Sequence, residues 1–307
     1  MHRSFSLLTL FLALHFSLFA QSGKRQILLP ATEQAVPFRW LSTPELPQYA
    51  LLLPLQLPGC AETFYLQFDL GAAQTVFYRE ALAGIGGKYP GAFVMTDSFV
   101  SVREGRLGTA TVTLERMPTR AYAGSAPNWK KGSTNIIGTA GADLVAGRAV
   151  LLDYPGGSLV LNPDTTALGK TERFGLVYAQ GRILLPAQVE GERKLLIFDS
   201  GSSAFSLLTD AETAARMATP GAAPVRRTVR SWDHQMTANS FPTTVSVGLG
   251  GKTLPLGIVT YMEGATEQQV RSMKALGIGG MTGNRLFLQH RLLLDLAHRQ
   301  FALLEPR

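Results

Sequence analysis

Cysteine is almost absent: Cys60 stands alone in 307 residues, so no internal disulfide can form. Beyond the first twenty residues the histidines are His234, His290 and His298, too few beside one cysteine for a Cys/His zinc cluster. No metal and no other cofactor is expected. Charged residues are sparse as well, 17% against 46% hydrophobic, which excludes a disordered or fibrous chain. Long apolar runs are confined to the start. His2 and Arg3 precede an apolar stretch over 7–19 that is interrupted by His15 and Ser17 and closes on Ala20. That stretch falls short of the roughly 20 apolar residues a spanning helix needs, so 1–20 is expected to be a cleavable signal peptide. The mature protein would then be secreted or periplasmic, without stable membrane insertion. Later runs such as 51–57 are short and contain Pro54, and fit buried strands.

What is abundant is turn chemistry. Thirty-one glycines and seventeen prolines are spread along the chain, favouring an all-β architecture over a helical bundle. Lysine and arginine number 29 against 22 acidic residues, a net charge of +7. The densest basic cluster, Arg226, Arg227 and Arg230, has no interleaved aromatics and fits a solvated strand face; with export, this argues against a nucleic-acid partner.

An internal repeat organises the rest. Leu52-Leu53-Pro54-Leu55-Gln56-Leu57, a glycine-containing turn, and Tyr65-Leu66-Gln67-Phe68-Asp69-Leu70-Gly71-Ala72 recur as Leu184-Leu185-Pro186-Ala187-Gln188-Val189, a turn at Gly191, and Leu195-Leu196-Ile197-Phe198-Asp199-Ser200-Gly201-Ser202. Each copy reads as a β-hairpin whose second strand ends in Phe-Asp-x-Gly. Downstream, Ile136-Ile137-Gly138 and the closing Leu151-Leu152-Asp153 match Ile278-Gly279-Gly280 and Leu293-Leu294-Asp295. The second copy is longer by about a dozen residues, a loop-scale difference. The expected organisation is an N-terminal arm over 21–45, a first lobe over 46–163, a linker over 164–173 and a second lobe over 174–307. Strands are expected at 109–114, 149–152, 158–161, 243–247 and 291–294. Short helices are expected after Thr209-Asp210-Ala211-Glu212, which has capping-box spacing, and over 78–83.

Two related lobes that each end a strand in Asp can bring Asp69 and Asp199 together across a pseudo-twofold axis, with Gly71 and Gly201 letting the partner backbone approach. Adjacent carboxyls share a proton, so one can act as base on a bound water and the other as acid. Asp153 and Asp295 begin turns and are read as structural. Competing motifs fail on single residues. Phe205 stands where a nucleophile elbow after Ser203 needs its last glycine, and Ser246 where a phosphate loop ending in Gly251-Lys252-Thr253 needs its first. The glycines at 84–87 and 277–283 miss dinucleotide spacing.

Asp199-Ser200-Gly201-Ser202 resembles the Asp-Thr/Ser-Gly-Ser/Ala motif of pepsin-like and retropepsin-like aspartic proteases, and Asp69-Leu70-Gly71-Ala72 is a partial match. Ile136-Ile137-Gly138 and Ile278-Gly279-Gly280 resemble the hydrophobic-hydrophobic-Gly element supporting that motif, and the resemblance covers nearly all of 46–305. It implies two β-barrel lobes with short helices, an active cleft between them, catalytic Asp69 and Asp199, and a peptide or unfolded protein as substrate. It also implies a hairpin flap. Trp232 is the lobe-two candidate, either closing on substrate or packing on its own sheet; the lobe-one hairpin around 103–106 lacks an aromatic at its tip. Leu70 departs from the pattern, because the family's Thr or Ser there braces the two turns with its hydroxyl. Two functions therefore follow: an exported aspartic endopeptidase, or a catalytically inactive peptide- or envelope-binding protein on the same fold.

Overall fold

Burial alternates along the strand Thr63–Phe68, sending Phe64, Leu66 and Phe68 into the core, and along Glu192–Phe198, where Leu196 and Phe198 do the same. These strands form the axes of two related lobes. The computed structural model describes residues 24–231 and 234–306; the expected signal peptide and Trp232 lie outside them.

In the first lobe Thr63–Phe68 is flanked antiparallel by Ala50–Gln56 and parallel by Ile136–Ala140. In the second, Glu192–Phe198 is flanked in the same senses by Arg182–Val189 and Ile278–Thr282. Register is matched as well: Pro54 faces Tyr65 in one copy and Pro186 faces Leu195 in the other. Each parallel ladder has an irregularity beside its glycine, at 136–138 and again where Leu196 meets Gly280. The reason is close packing. A Cβ on Gly138 would lie 2.5 Å from the Val76 carbonyl oxygen, and one on Gly280 would overlap that of Leu208. The bare backbone lets Val76–Tyr78 and Leu208–Thr209 pair against these strands.

The fold is all-β. Among the described residues the strands form sheets of nine, six and ten, with short helices at Arg79–Lys88, Ala211–Met217 and Glu267–Ala275. None of these helices is long and apolar enough to cross a membrane. The six-stranded sheet joins the lobes through antiparallel pairing of Ala149–Asp153 with Arg291–Asp295, in which Leu151 faces Leu293. Alternate residues of this pair, Val150, Leu152, Leu292 and Leu294, enter a hydrophobic core that runs through both lobes. Leu151 and Leu293 face the other way, with Ala302 and Leu304. Gln34–Pro37 edges the same sheet by pairing with Ser158–Leu161.

Three local expectations are corrected. The helix expected from Thr209 is capped by Asp210, which accepts from the Thr213 amide at 3.1 Å, because Thr209 is held in strand; a reciprocal capping box occurs instead at Thr266 and Gln269. The strand expected from Thr243 begins at Ser246, since Thr243 turns its hydroxyl to the Met217 carbonyl. Residues 103–106 are not a hairpin tip. They lie within the strand Phe99–Leu107, where Glu104 takes a positive φ of 56° in a bulge, and the turn falls at Gly108 and Thr109. That turn is docked on the N-terminal strand, with the Thr109 hydroxyl donating to the Ala35 carbonyl at 3.2 Å.

Candidate active site

Each lobe presents its aspartate where a buried strand runs out. The Asp69 amide donates to the Ala140 carbonyl at 3.0 Å and the Asp199 amide to the Thr282 carbonyl at 2.9 Å, so the parallel neighbour fixes the backbone of both. The chain then turns sharply: the Ala72 amide donates to the Asp69 carbonyl and the Ser202 amide to the Asp199 carbonyl, both at 3.1 Å. Side chains reinforce the turns. Asp69 Oδ1 accepts from the Ala72 amide at 3.1 Å, whereas Asp199 accepts from the Gly201 amide at 2.8 Å and the Ser202 hydroxyl at 3.0 Å.

The two turns meet. A Cβ on Gly201 would lie 2.5 Å from the carboxyl carbon of Asp69, and one on Gly71 would fall into the carboxyl of Asp199. Each aspartate thus lies against the bare backbone of the opposite turn, an approach that any side chain there would block. The two carboxyls thus face each other across the axis, each against the other's turn. Removal from water, then the charge of Asp199, then the hydrogen bond to it, hold the Asp69 carboxyl well above the usual carboxylate range. Asp69 nevertheless retains an accessible edge.

Bracing across the axis is one-sided. The fully buried Ser200 hydroxyl donates to the Phe68 carbonyl and accepts from the Leu70 amide, each at 2.9 Å. Leu70 has no hydroxyl to return; its side chain is sealed in the core. Ser200 is itself held from behind. Asn284 donates to the Ser200 carbonyl at 2.9 Å and to the Ser203 hydroxyl at 2.7 Å, and accepts from the Tyr154 hydroxyl at 2.7 Å. Tyr154 follows the interlobe strand Ala149–Asp153, so this buried chain links the central sheet to the lobe-two turn.

Ile137 and Gly138 are buried behind Asp69, Gly280 is buried behind Asp199, and Ile136, Ile278 and Gly279 lie half-buried at the start of the same strands. Asp153 and Asp295 stand elsewhere, accepting from the amides of Gly156 and His298. Sequence reading missed three residues near the pair. Tyr78 hydrogen-bonds the Thr139 hydroxyl at 2.8 Å, stacks on Tyr122, and is pushed up to about 12 mainly by burial. Asn284 gave no signal, since polar residues after a glycine are common. Arg182 could have been found by counting back along the hairpin from Asp199. Among the described residues no group of three or more His, Cys, Asp or Glu is placed to hold a metal ion.

The chain is therefore an all-β protein of two related lobes whose equivalent strand ends place two aspartates together. By structure it is similar to an aspartic proteinase from Irpex lacteus, with a TM-score of 0.49 and 11% identity over 90% of this chain and 98% of that one. No protein-family model and no curated protein sequence matches the chain.

Proposed function

We propose that the protein is an exported, pepsin-like aspartic endopeptidase, released by removal of 1–20, with lobes over 46–163 and 174–307 and a peptide or unfolded protein as substrate. The observation that carries this reading is the reciprocal seating of the Asp69 and Asp199 carboxyls against Gly201 and Gly71. Asp69 holds the shared proton, because burial and the neighbouring charge push its carboxyl up. Asp199, accepting from the Gly201 amide and the Ser202 hydroxyl, is left as the base. It takes a proton from a water attacking the peptide carbonyl carbon while Asp69 delivers its proton to the carbonyl oxygen, so the tetrahedral adduct is neutral and the pair keeps its single negative charge. The proton on Asp199 then passes to the amide nitrogen as the C–N bond breaks, and Asp69 takes one back from the adduct's hydroxyl. The fixed turns supply the geometry before substrate arrives.

A second reading, an inactive peptide- or envelope-binding protein on the same fold, is favoured by one observation: the buried Leu70 where a second bracing hydroxyl would stand. Incubating the purified mature protein with denatured proteins from pH 3 to 7 separates the two. Cleavage by the wild type, lost in a folded Asp199→Asn variant, supports the peptidase. Cleavage that survives in a contamination-free Asp199→Asn removes Asp199 from the mechanism, and no cleavage at any pH leaves the binding protein.

A further inference from the structure

The repeat that makes the two aspartates equivalent also shows where the lobes differ around them. In the first lobe the antiparallel register that sets Leu52 against Gln67, continued by one step beyond Phe68, places Ala50 across from Asp69. Ala50 is buried and uncharged. In the second lobe Ile183 faces Phe198, and the same single step places Arg182 across from Asp199. Cross-strand neighbours in an antiparallel pair stand about 4.5–5.5 Å apart at Cβ. An arginine thus stands across from the aspartate in one lobe only.

Arg182 is rigidly presented. It opens the strand Arg182–Val189 directly after a two-residue hairpin turn, with Ala179 as its partner across the turn. The turn residues Gln180 and Gly181 have φ of 52° and 73°, the positive pair of a type I′ turn, whose twist matches the flanking strands. The tip is wedged against the lobe-one turn, since a Cβ on Gly181 would come 2.8 Å from that of Ala73. The side chain is half-buried, yet among the described residues its nitrogens make no hydrogen bond and no ion pair, and none is sealed from solvent. Burial weakens its hold on the proton, and the negative charge of the Asp199 and Asp69 pair acts against that loss. It remains a cation.

A planar fork of five donors with no partner, carried on a held backbone directly across the strand pair from Asp199, matches a carboxylate in shape and charge. A glutamine or an amide cannot supply both. We infer that Arg182 is a specificity-determining residue that selects peptides bearing a carboxylate close to the scissile bond, either an acidic side chain or a free C-terminus. This rests on the peptidase reading of the same cleft. The carboxylate would occupy donors now facing water, while the dyad keeps the single negative charge that balances the guanidinium.

The test reads binding rather than turnover. Octapeptides carrying a non-hydrolysable hydroxyethylene unit at the central bond are prepared with Glu or Gln in turn at each of the two positions on either side, and with free or amidated C-termini. Affinities are measured by calorimetry for the wild type, Arg182→Gln and Arg182→Lys. The wild type is expected to bind one Glu or free-acid peptide about tenfold more tightly than its neutral match, Arg182→Gln to bind both alike, and Arg182→Lys to keep part of the preference. A preference that follows the Glu position identifies an acidic side chain; one that follows the terminus identifies a C-terminal carboxylate. Equal binding by the wild type, or a preference that survives in Arg182→Gln, overturns this inference and leaves the peptidase reading standing. Failure of every peptide to bind the wild type overturns both.

Discussion

The hydroxyl of Ser200 and the backbone amide of Leu70 are separated by 130 residues in sequence and 2.9 Å in space. That bond and its companion to the Phe68 carbonyl are the buried tie between the two aspartate turns, and they originate from one lobe only. Replacing Ser200 with alanine removes both and leaves a buried donor and a buried acceptor without partners. The cost is about 1 to 3 kcal/mol for each group so stranded. Thermal unfolding of Ser200→Ala should begin several degrees below that of the wild type; an unchanged melting temperature would show that the tie contributes nothing.

Leu70→Thr asks whether the missing tie can be supplied. Leu70 is fully buried in the main core, so the substitution deletes packed carbon and sets a hydroxyl among apolar neighbours. A loss of about 1 to 3 kcal/mol is expected. Differential scanning calorimetry decides: a raised melting temperature would mean that the hydroxyl has found backbone partners on the opposite turn.

The glycines divide sharply by position. Gly71→Ala and Gly201→Ala drive a methyl group into the facing carboxyl, and both should abolish cleavage and lower stability. Gly87, inside the helix Arg79–Lys88, has open space where its Cβ would stand. Gly87→Ala should be active and more stable by about 0.5 to 1 kcal/mol. Comparable behaviour of the three variants in a melting and peptide-cleavage series would contradict the reciprocal seating of the carboxyls.

Asp69 also sets a direction for stability against pH. Its folded value is raised above the ordinary 3.8, so the folded state binds more protons than the unfolded one over the interval between them. Stability from this group is complete below the ordinary value and declines as pH climbs toward the folded one. Asp69→Asn removes that slope. Urea unfolding at pH 4, 5.5 and 7 should show the variant gaining on the wild type as pH rises; a difference that does not change with pH, or that shifts in the wild type's favour, would place the raised carboxyl elsewhere.

The repeated hairpins, the matched glycines and the two aspartates were legible in the sequence because each copy preserves residue types at fixed spacing, and spacing along one strand survives folding unchanged. Relationships across strands were harder to see. The tie from Ser200 to Leu70 and the placement of Arg182 depend on register, which one residue of slip would reverse. A bulge at Glu104 displaced the turn expected at 103–106, since an added residue in one strand leaves no compositional mark. Thr243 has the β-branched character of a strand residue, but its hydroxyl found a helix-end carbonyl instead. Tyr154 and Asn284 were silent, being joined only where the central sheet brings them together.

That central sheet has one further consequence. Ala149 faces Asp295, Leu151 faces Leu293 and Asp153 faces Arg291, so the register is unchanged when the two strands are exchanged. Self-matching pairing of this kind is the signature of an isologous interface between identical subunits. Identical subunits must change together, because one gene edits both sides of the axis at once. A single chain carrying both halves is free of that constraint: it can set leucine opposite serine at the turns, and arginine opposite alanine beside them. Carried on one chain, the halves stay in register and yet differ, one presenting the hydroxyl and the cation, the other a leucine and an alanine in their places.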